Sequence, residues 1–248
     1  GPSRRVVVTQ PRLPGLSVPK GDYGPVASLA HAAKHFAKAR GYGYSSRGLH
    51  GLRADPNLTM NVGKAYDEAI GTEASPSLRQ SYESMRGEVG EQYRYLTTPK
   101  EQGGLGIKHE VTHEDPYATP DALKADVTQH GRIKTFASRT TGPHSVFSYE
   151  ENDQFRAVHD AFGHLAIGRD FGRHGEEAAA RHHAMMFSPA SHEALFTETR
   201  GQNSYYHSRG GQFPDQSLVS IPSWASKANP TFPGKRVKKS GTQQMRLF

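Results

Sequence analysis

The chain contains no cysteine. That excludes a disulfide framework, a thiolate zinc finger, an iron–sulfur cluster and a cysteine nucleophile. Any metal must sit on His, Asp, Glu or Tyr. No run approaches about 18 consecutive apolar residues, so no transmembrane helix and no membrane partner are expected. The opening stretch Gly1–Lys20 lacks the long apolar segment of a secretory signal, which makes an intracellular, cytoplasmic location the expectation. Gly1-Pro2-Ser3 reads as a cleavage remnant. Apolar side chains are themselves scarce, at 34% of 248 residues against 26 Gly and 16 Pro, which implies a thin core with much polar loop. Acidic residues are the minority charge: 24 Asp+Glu against 31 Lys+Arg leave a net charge of +7. The excess is spread out, with clusters only at Arg4-Arg5 and Lys235–Lys239. A solvated basic surface explains it, and so does nucleic-acid contact through a basic arm and tail.

The chain divides into an extended N-terminal arm (1–27) with a short strand at Val6–Val8, a mainly helical domain (28–230), and a basic C-terminal tail (231–248). The fold class expected is α+β, mostly helical, one domain with a small β-hairpin and extended termini. Ser28–Arg40 is an Ala-rich helix with Leu29, Ala33, Phe36 and Arg40 on one face, stopped by Gly41. A short helix follows over Val62–Ile70. Ser75-Pro76 opens the clearest amphipathic helix, in which Leu78, Tyr82, Met85, Val89, Tyr93 and Leu96 recur at three and four residues and read as core. Thr97–Pro116 reads as loop. Within it Gly103–Ile107 (GGLGI) neither follows a strand nor opens a helix, so it is not a phosphate loop. His109–His113 fits H-E-x-x-H, but β-branched Val111 and Thr112 and the following Asp115-Pro116 argue against the helix that zinc binding by this motif requires. A helix from Thr119 to Gln129 precedes two alternating stretches, Arg132–Ser138 and Ser145–Tyr149, which suggest the hairpin.

Histidine is abundant, with 14 residues, and crowds into the segment His144–His207. A helix capped by Asn152 carries Phe155, Val158, Phe162 and Leu165 as its apolar stripe. His159 borders that stripe. His164 lies five residues on, about 140° round an ideal α-helix. The two imidazoles converge on one ion only if the helix bends or ends between them, and Gly163 is the residue that permits this. The next helix holds Glu176 and His183 on an Ala/Met face, where they back the ligands of a metal site, ligate a second metal, or form a polar pair at a packing edge. Glu177 and Arg181 are spaced as a solvent ion pair. Ser188-Pro189 opens a third helix with Leu195, Glu198 and Gln202 on one face. A carboxylate beside a buried Leu requires a partner or a cation. His159, His164 and Glu198 thus make a two-His-one-carboxylate set.

The segment VHDAFGH, followed by a helix and then LFTET, resembles the catalytic core of the pterin-dependent aromatic amino-acid hydroxylases over about Leu123–Asn203. Their iron-binding helix carries H-E-x-x-G-H, onto which His159, Gly163 and His164 fall. Their third ligand is a Glu from a later helix after a Phe-Thr pair, onto which Glu198 falls after Phe196-Thr197. Asp160 stands where the family has Glu, and the spacing to the carboxylate is shorter. No pterin-stacking or amino-acid-binding segment is recognisable. The resemblance implies a mononuclear non-haem Fe(II) site that activates dioxygen, on a mostly helical fold, with pterin use left open. In that reading Asp160 orients a ligand or bound water. Arg200, Gln202 or Asn203 binds a polar or anionic group of a small-molecule or nucleic-acid-linked substrate.

Three functional readings follow. The first is an iron-dependent oxygenase or hydroxylase. The second is a zinc or dinuclear hydrolase in which Glu176 and His183 join the set. The third is a non-enzymatic nucleic-acid-binding or structural protein with packed histidines.

Overall fold

The computed structural model describes residues 23–214 and 217–233. The expected strand at Val6–Val8, the body of the basic arm and the Lys235–Lys239 cluster lie outside the described residues. The architecture is mostly helical α+β: nine α-helices and a sheet of two strands among the described residues. Helix α3 (Pro76–Thr97) runs through its centre. Ser75 caps it by accepting the Leu78 amide, and Pro76 takes the first helical position, where no amide hydrogen is missed. Leu78, Tyr82, Met85 and Leu96 are wholly buried and Val89 nearly so, as their spacing predicts. Two polar residues, Ser81 and Gln92, lie on the same buried face. Burial of an amide without a partner costs free energy, so Gln92 has a specific use, described below.

Helix α1 (Ala27–Ala39) buries Leu29, Ala33 and Phe36, and the Arg40 guanidinium lies 3.4 Å above the Phe36 ring. Helix α2 (Pro56–Ala69) starts earlier than the sequence suggests, because Asp55 accepts the Asn57 amide as N-cap and Pro56 follows it. It packs closely on α9 (Gln202–Ser208). Gly63 makes that approach possible, since a Cβ there would come within 2.8 Å of the Ser204 carbonyl oxygen.

The hairpin expected from Arg132–Ser138 and Ser145–Tyr149 is replaced by a parallel pair, β1 (Lys108–Thr112) with β2 (Arg132–Phe136), in register from Lys108↔Arg132 to Thr112↔Phe136. Helix α4 (Pro120–His130) makes the crossover, and Gly131, at φ 58°, turns the chain directly from helix into β2. Ser145–Tyr149 forms no strand for a local reason. The His144 ring takes the Val146 and Phe147 amides on Nδ1, and Ser148 and Glu151 form a reciprocal capping box. The donors a ladder would need are spent. The same capping box starts α6 (Tyr149–Val158) a turn before Asn152, the cap expected from sequence. The motif His109–His113 begins on β1, so its histidines are strung along extended chain rather than stacked on a helix. His109 instead bonds Tyr93 and Thr135.

After α6 come α7 (Arg173–Ala184) and α8 (Pro189–Phe196). The main core joins α1, α3, α6 and α8 through Phe36, Tyr82, Phe155, Val158, Leu195 and Phe196. A smaller cluster sets Leu58, Val62 and Tyr66 of α2 against Val219 and Ile221. Among the described residues no helix is long and apolar enough to cross a membrane.

Candidate metal centre

Helix α6 does not end at Val158. It widens into a π-helical turn, His159–Leu165, in which the Ala166 amide reaches the Ala161 carbonyl at 3.0 Å. An i→i+5 pitch stacks a residue over the one five positions earlier. His159 and His164, which diverge on an α-helix, therefore face one another, with ring centroids 5.1 Å apart and planes at 85°. Gly163 allows it. A Cβ there would lie 3.1 Å from the His159 ring and 3.3 Å from the Ala179 carbonyl oxygen, so its absence lets both the imidazole and α7 close in.

Helix α7 supplies the carboxylate. Glu176 Oε2 lies 3.2 Å from His164 Nε2 and 3.6 Å from His159 Nε2. One ligand atom from each of the three residues lies within 4.8 Å of the other two, and they form the one such cluster among the described residues. Gly175 holds this helix start against the preceding turn; a Cβ there would overlap the Asp170 carbonyl. Burial disfavours the charged form of Glu176, yet the adjacent His164 and His159 more than offset this and hold its carboxyl far below the usual range. The groups behind the ligands are in place. His164 Nδ1 donates to the Arg169 carbonyl at 3.1 Å, which turns Nε2 towards Glu176. His159 Nδ1 lies 3.1 Å from His183 Nδ1. Burial keeps the His183 pKa well below that of an ordinary imidazole, and the neighbouring His159 adds to the effect.

The ligand atoms sit in a cleft that encloses about 930 Å³ including its mouth. Phe155, Phe136 and Phe213 form its apolar lining; Asn152, Asp160, Glu198, Gln202 and Asn203 are polar. Glu176 is 20% exposed there, whereas His164 is 1% exposed.

Glu198, the carboxylate expected from sequence, shares the cleft but is otherwise engaged. It lies on a second π-helical turn, Thr197–Gly201, at the end of α8. Its Oε1 accepts from Tyr82 Oη at 2.6 Å and from His144 Nε2 at 2.7 Å, and its Oε2 accepts from Gln202 Nε2 at 3.0 Å. Because His144 Nδ1 accepts two backbone amides, the proton of that ring is on Nε2, facing Glu198. Desolvation opposes the Glu198 charge, but His144, Tyr82 and Gln202 outweigh it and lower the pKa. The structure thus gathers Glu176, not Glu198, with the two imidazoles.

Asp160 is buried at the cleft wall beside His159. Arg200 is not part of the cleft lining. It forms a bidentate pair with Glu177 at 2.8 and 2.7 Å and donates to the carbonyls of Ala225 and Lys227 at 2.7 and 2.6 Å. The pairing of Glu177 with Arg181 is real but not solvated: Glu177 is fully buried and also meets Arg173. His183 is likewise committed to His159 and Gln92, so it is not placed as the ligand of a second ion.

His144, Tyr82 and Gln92 were not legible as site residues. Tyr82 and Gln92 lie on α3, where the first reads as ordinary core and the second, like Ser81, is a polar residue on the buried face. Comparison with protein-family models, curated proteins and solved structures finds no match.

Proposed function

We propose that this protein is a mononuclear metal enzyme of the oxygenase class, in which His159, His164 and Glu176 hold Fe(II) at the floor of the cleft. The observation that carries the reading is the mutual approach of these three side chains, within 4.8 Å, from a π-helical turn and a neighbouring helix. Two neutral imidazoles and one ionised carboxylate on one side of an ion form the donor set that suits non-haem Fe(II) and leaves other positions open. Bound there, the ion would supply open positions at which dioxygen and substrate bind.

The protein's own groups have distinct parts. Arg169 orients His164 through its carbonyl, and His183 orients His159. Glu198, held ionised by Tyr82, His144 and Gln202, keeps a fixed negative charge on the cleft wall. Asn152 lines the same cleft, 5% exposed, and its side chain makes no hydrogen bond within the described residues. The substrate side of the reading is therefore a polar organic molecule able to exchange hydrogen bonds with that amide. A nucleic-acid-linked substrate remains within the proposal.

The test is metal analysis of protein produced with iron supplied, followed by anaerobic addition of Fe(II) and nitric oxide. The expected results are one iron per chain and the quartet-spin iron–nitrosyl resonance, both absent in His164→Ala. One tightly held zinc per chain, with no nitrosyl signal, would overturn the oxygenase reading in favour of a hydrolase.

A further inference from the structure

His159 can offer a metal only one of its two nitrogens, and the other must carry the proton. The structure places a chain of buried groups behind it that decides which. It starts at Gln92 on α3, whose amide Nε2 lies 3.0 Å from the Met186 carbonyl oxygen. A carbonyl only accepts, so this contact fixes the amide orientation and turns Oε1 towards His183. His183 Nε2 lies 2.7 Å from that Oε1. Since an amide oxygen only accepts, His183 Nε2 bears a hydrogen. Gln92 and His183 are both wholly buried, and no carboxylate bonds the His183 ring among the described residues. The ring is therefore neutral, and its remaining nitrogen, Nδ1, is a lone pair. That lone pair faces His159 Nδ1 at 3.1 Å. His159 Nδ1 must donate, and its Nε2, on the side of Glu176 at 3.6 Å, is the nitrogen left to face the cleft.

We infer that Gln92, acting through His183, is the positioning residue that sets His159 Nε2 as the metal-facing nitrogen. Every link follows from the fixed donor or acceptor character of the group before it, starting from a backbone carbonyl. The orientation of the ring is thereby set before a cation arrives. His164 reaches the same state by a shorter route, through the Arg169 carbonyl. The difference has a consequence. The proton of His164 is fixed by the backbone, which no substitution alters directly. That of His159 depends on a side chain two steps away, in another helix. The inference rests on the metal-binding reading of His159, although its proton assignment does not.

Two measurements test it. The first uses the full chain without metal, labelled with nitrogen-15, and long-range proton–nitrogen correlation spectra of the histidine rings. The expected pattern is a protonated Nδ1 in His159, and a protonated Nε2 with bare Nδ1 in His183. A bare Nδ1 in His159 overturns the inference, even if the protein binds metal. The second is Co(II) affinity, measured by competition with a chromophoric chelator. Gln92→Leu keeps the volume but removes the acceptor, and should weaken Co(II) binding by about tenfold or more. Gln92→Glu puts a carboxylate on His183, which charges that ring and turns its Nδ1 into a donor towards His159, and should weaken Co(II) binding as well. Unchanged Co(II) affinity in Gln92→Leu would show a purely packing role for Gln92 and overturn the inference. Should either variant fail to fold, the spectra of the unaltered protein decide. Expected tautomers in a protein that binds no Co(II) would refute the metal reading instead.

Discussion

Gly163 is separated from His159 by four positions, yet a Cβ on it would lie 3.1 Å from the His159 ring. The imidazole thus rests on the bare backbone of its own π-helical turn. Gly163→Ala should displace that ring by a few tenths of an ångström and push against the Ala179 carbonyl behind it. The expected result is a loss of about 1–3 kcal/mol in stability, as for other overpacked sites. A fall in metal affinity should accompany it. Urea unfolding and a metal titration on the same preparation check both, and an unchanged affinity would show that the ring position is not critical.

The Arg200 assignment yields a contrasting prediction. Its guanidinium neutralises the buried Glu177 and ties down the carbonyls of residues 225–228. Arg200→Met would leave Glu177 with Arg173 and Arg181 only, in a site built for three cations. Removing one member of a buried charge cluster costs about 3–5 kcal/mol. Denaturant unfolding should show that loss, while the folded fraction still binds one metal ion. A variant of full stability would mean that Arg200 is not the structural residue described here.

Far from the cleft, Asp126 gives a pH-dependent term. Desolvation raises its pKa, but hydrogen bonds from Arg132 and Tyr117 outweigh this and hold it below the usual value. The folded-state pKa is therefore lower than the unfolded one, near 3.9. The stabilisation is complete above that unfolded value and is lost as pH falls through the folded one. Arg132 is a third exposed, so the contribution is modest. Asp126→Asn should remove this modest stabilisation at neutral pH and so flatten the acid limb of the stability curve, the two proteins converging in stability as pH falls below about 4. Thermal unfolding across pH tests this, and an unaltered acid limb would contradict it.

How far the sequence foretold these features depends on the reach of the forces involved. Helix α3 was legible because its cap, its Pro76 and its apolar spacing are all local. His159 and His164 were legible as a pair through the glycine between them, and the required distortion of the helix is present as the π-helical turn. Its particular form was not readable, since the widened pitch depends on α7 packing against Gly163. The carboxylate was the harder choice. Glu176 and Glu198 both lie on helices after the imidazoles, and only tertiary structure reveals that Tyr82 and His144 claim Glu198. The sheet was misjudged for a related reason. Ser145–Tyr149 alternates like a strand, but His144 captures its amides, while β1 finds its partner across α4.

The identity of the third ligand is the point on which the site turns, and paired metal analysis of two variants tests it most directly. Glu198→Gln should retain one metal ion per chain, since its neighbours remain and the ligand set is untouched. Glu176→Ala should retain none after the same dialysis. Loss of metal from Glu198→Gln with full occupancy in Glu176→Ala would contradict the account and return the carboxylate role to Glu198.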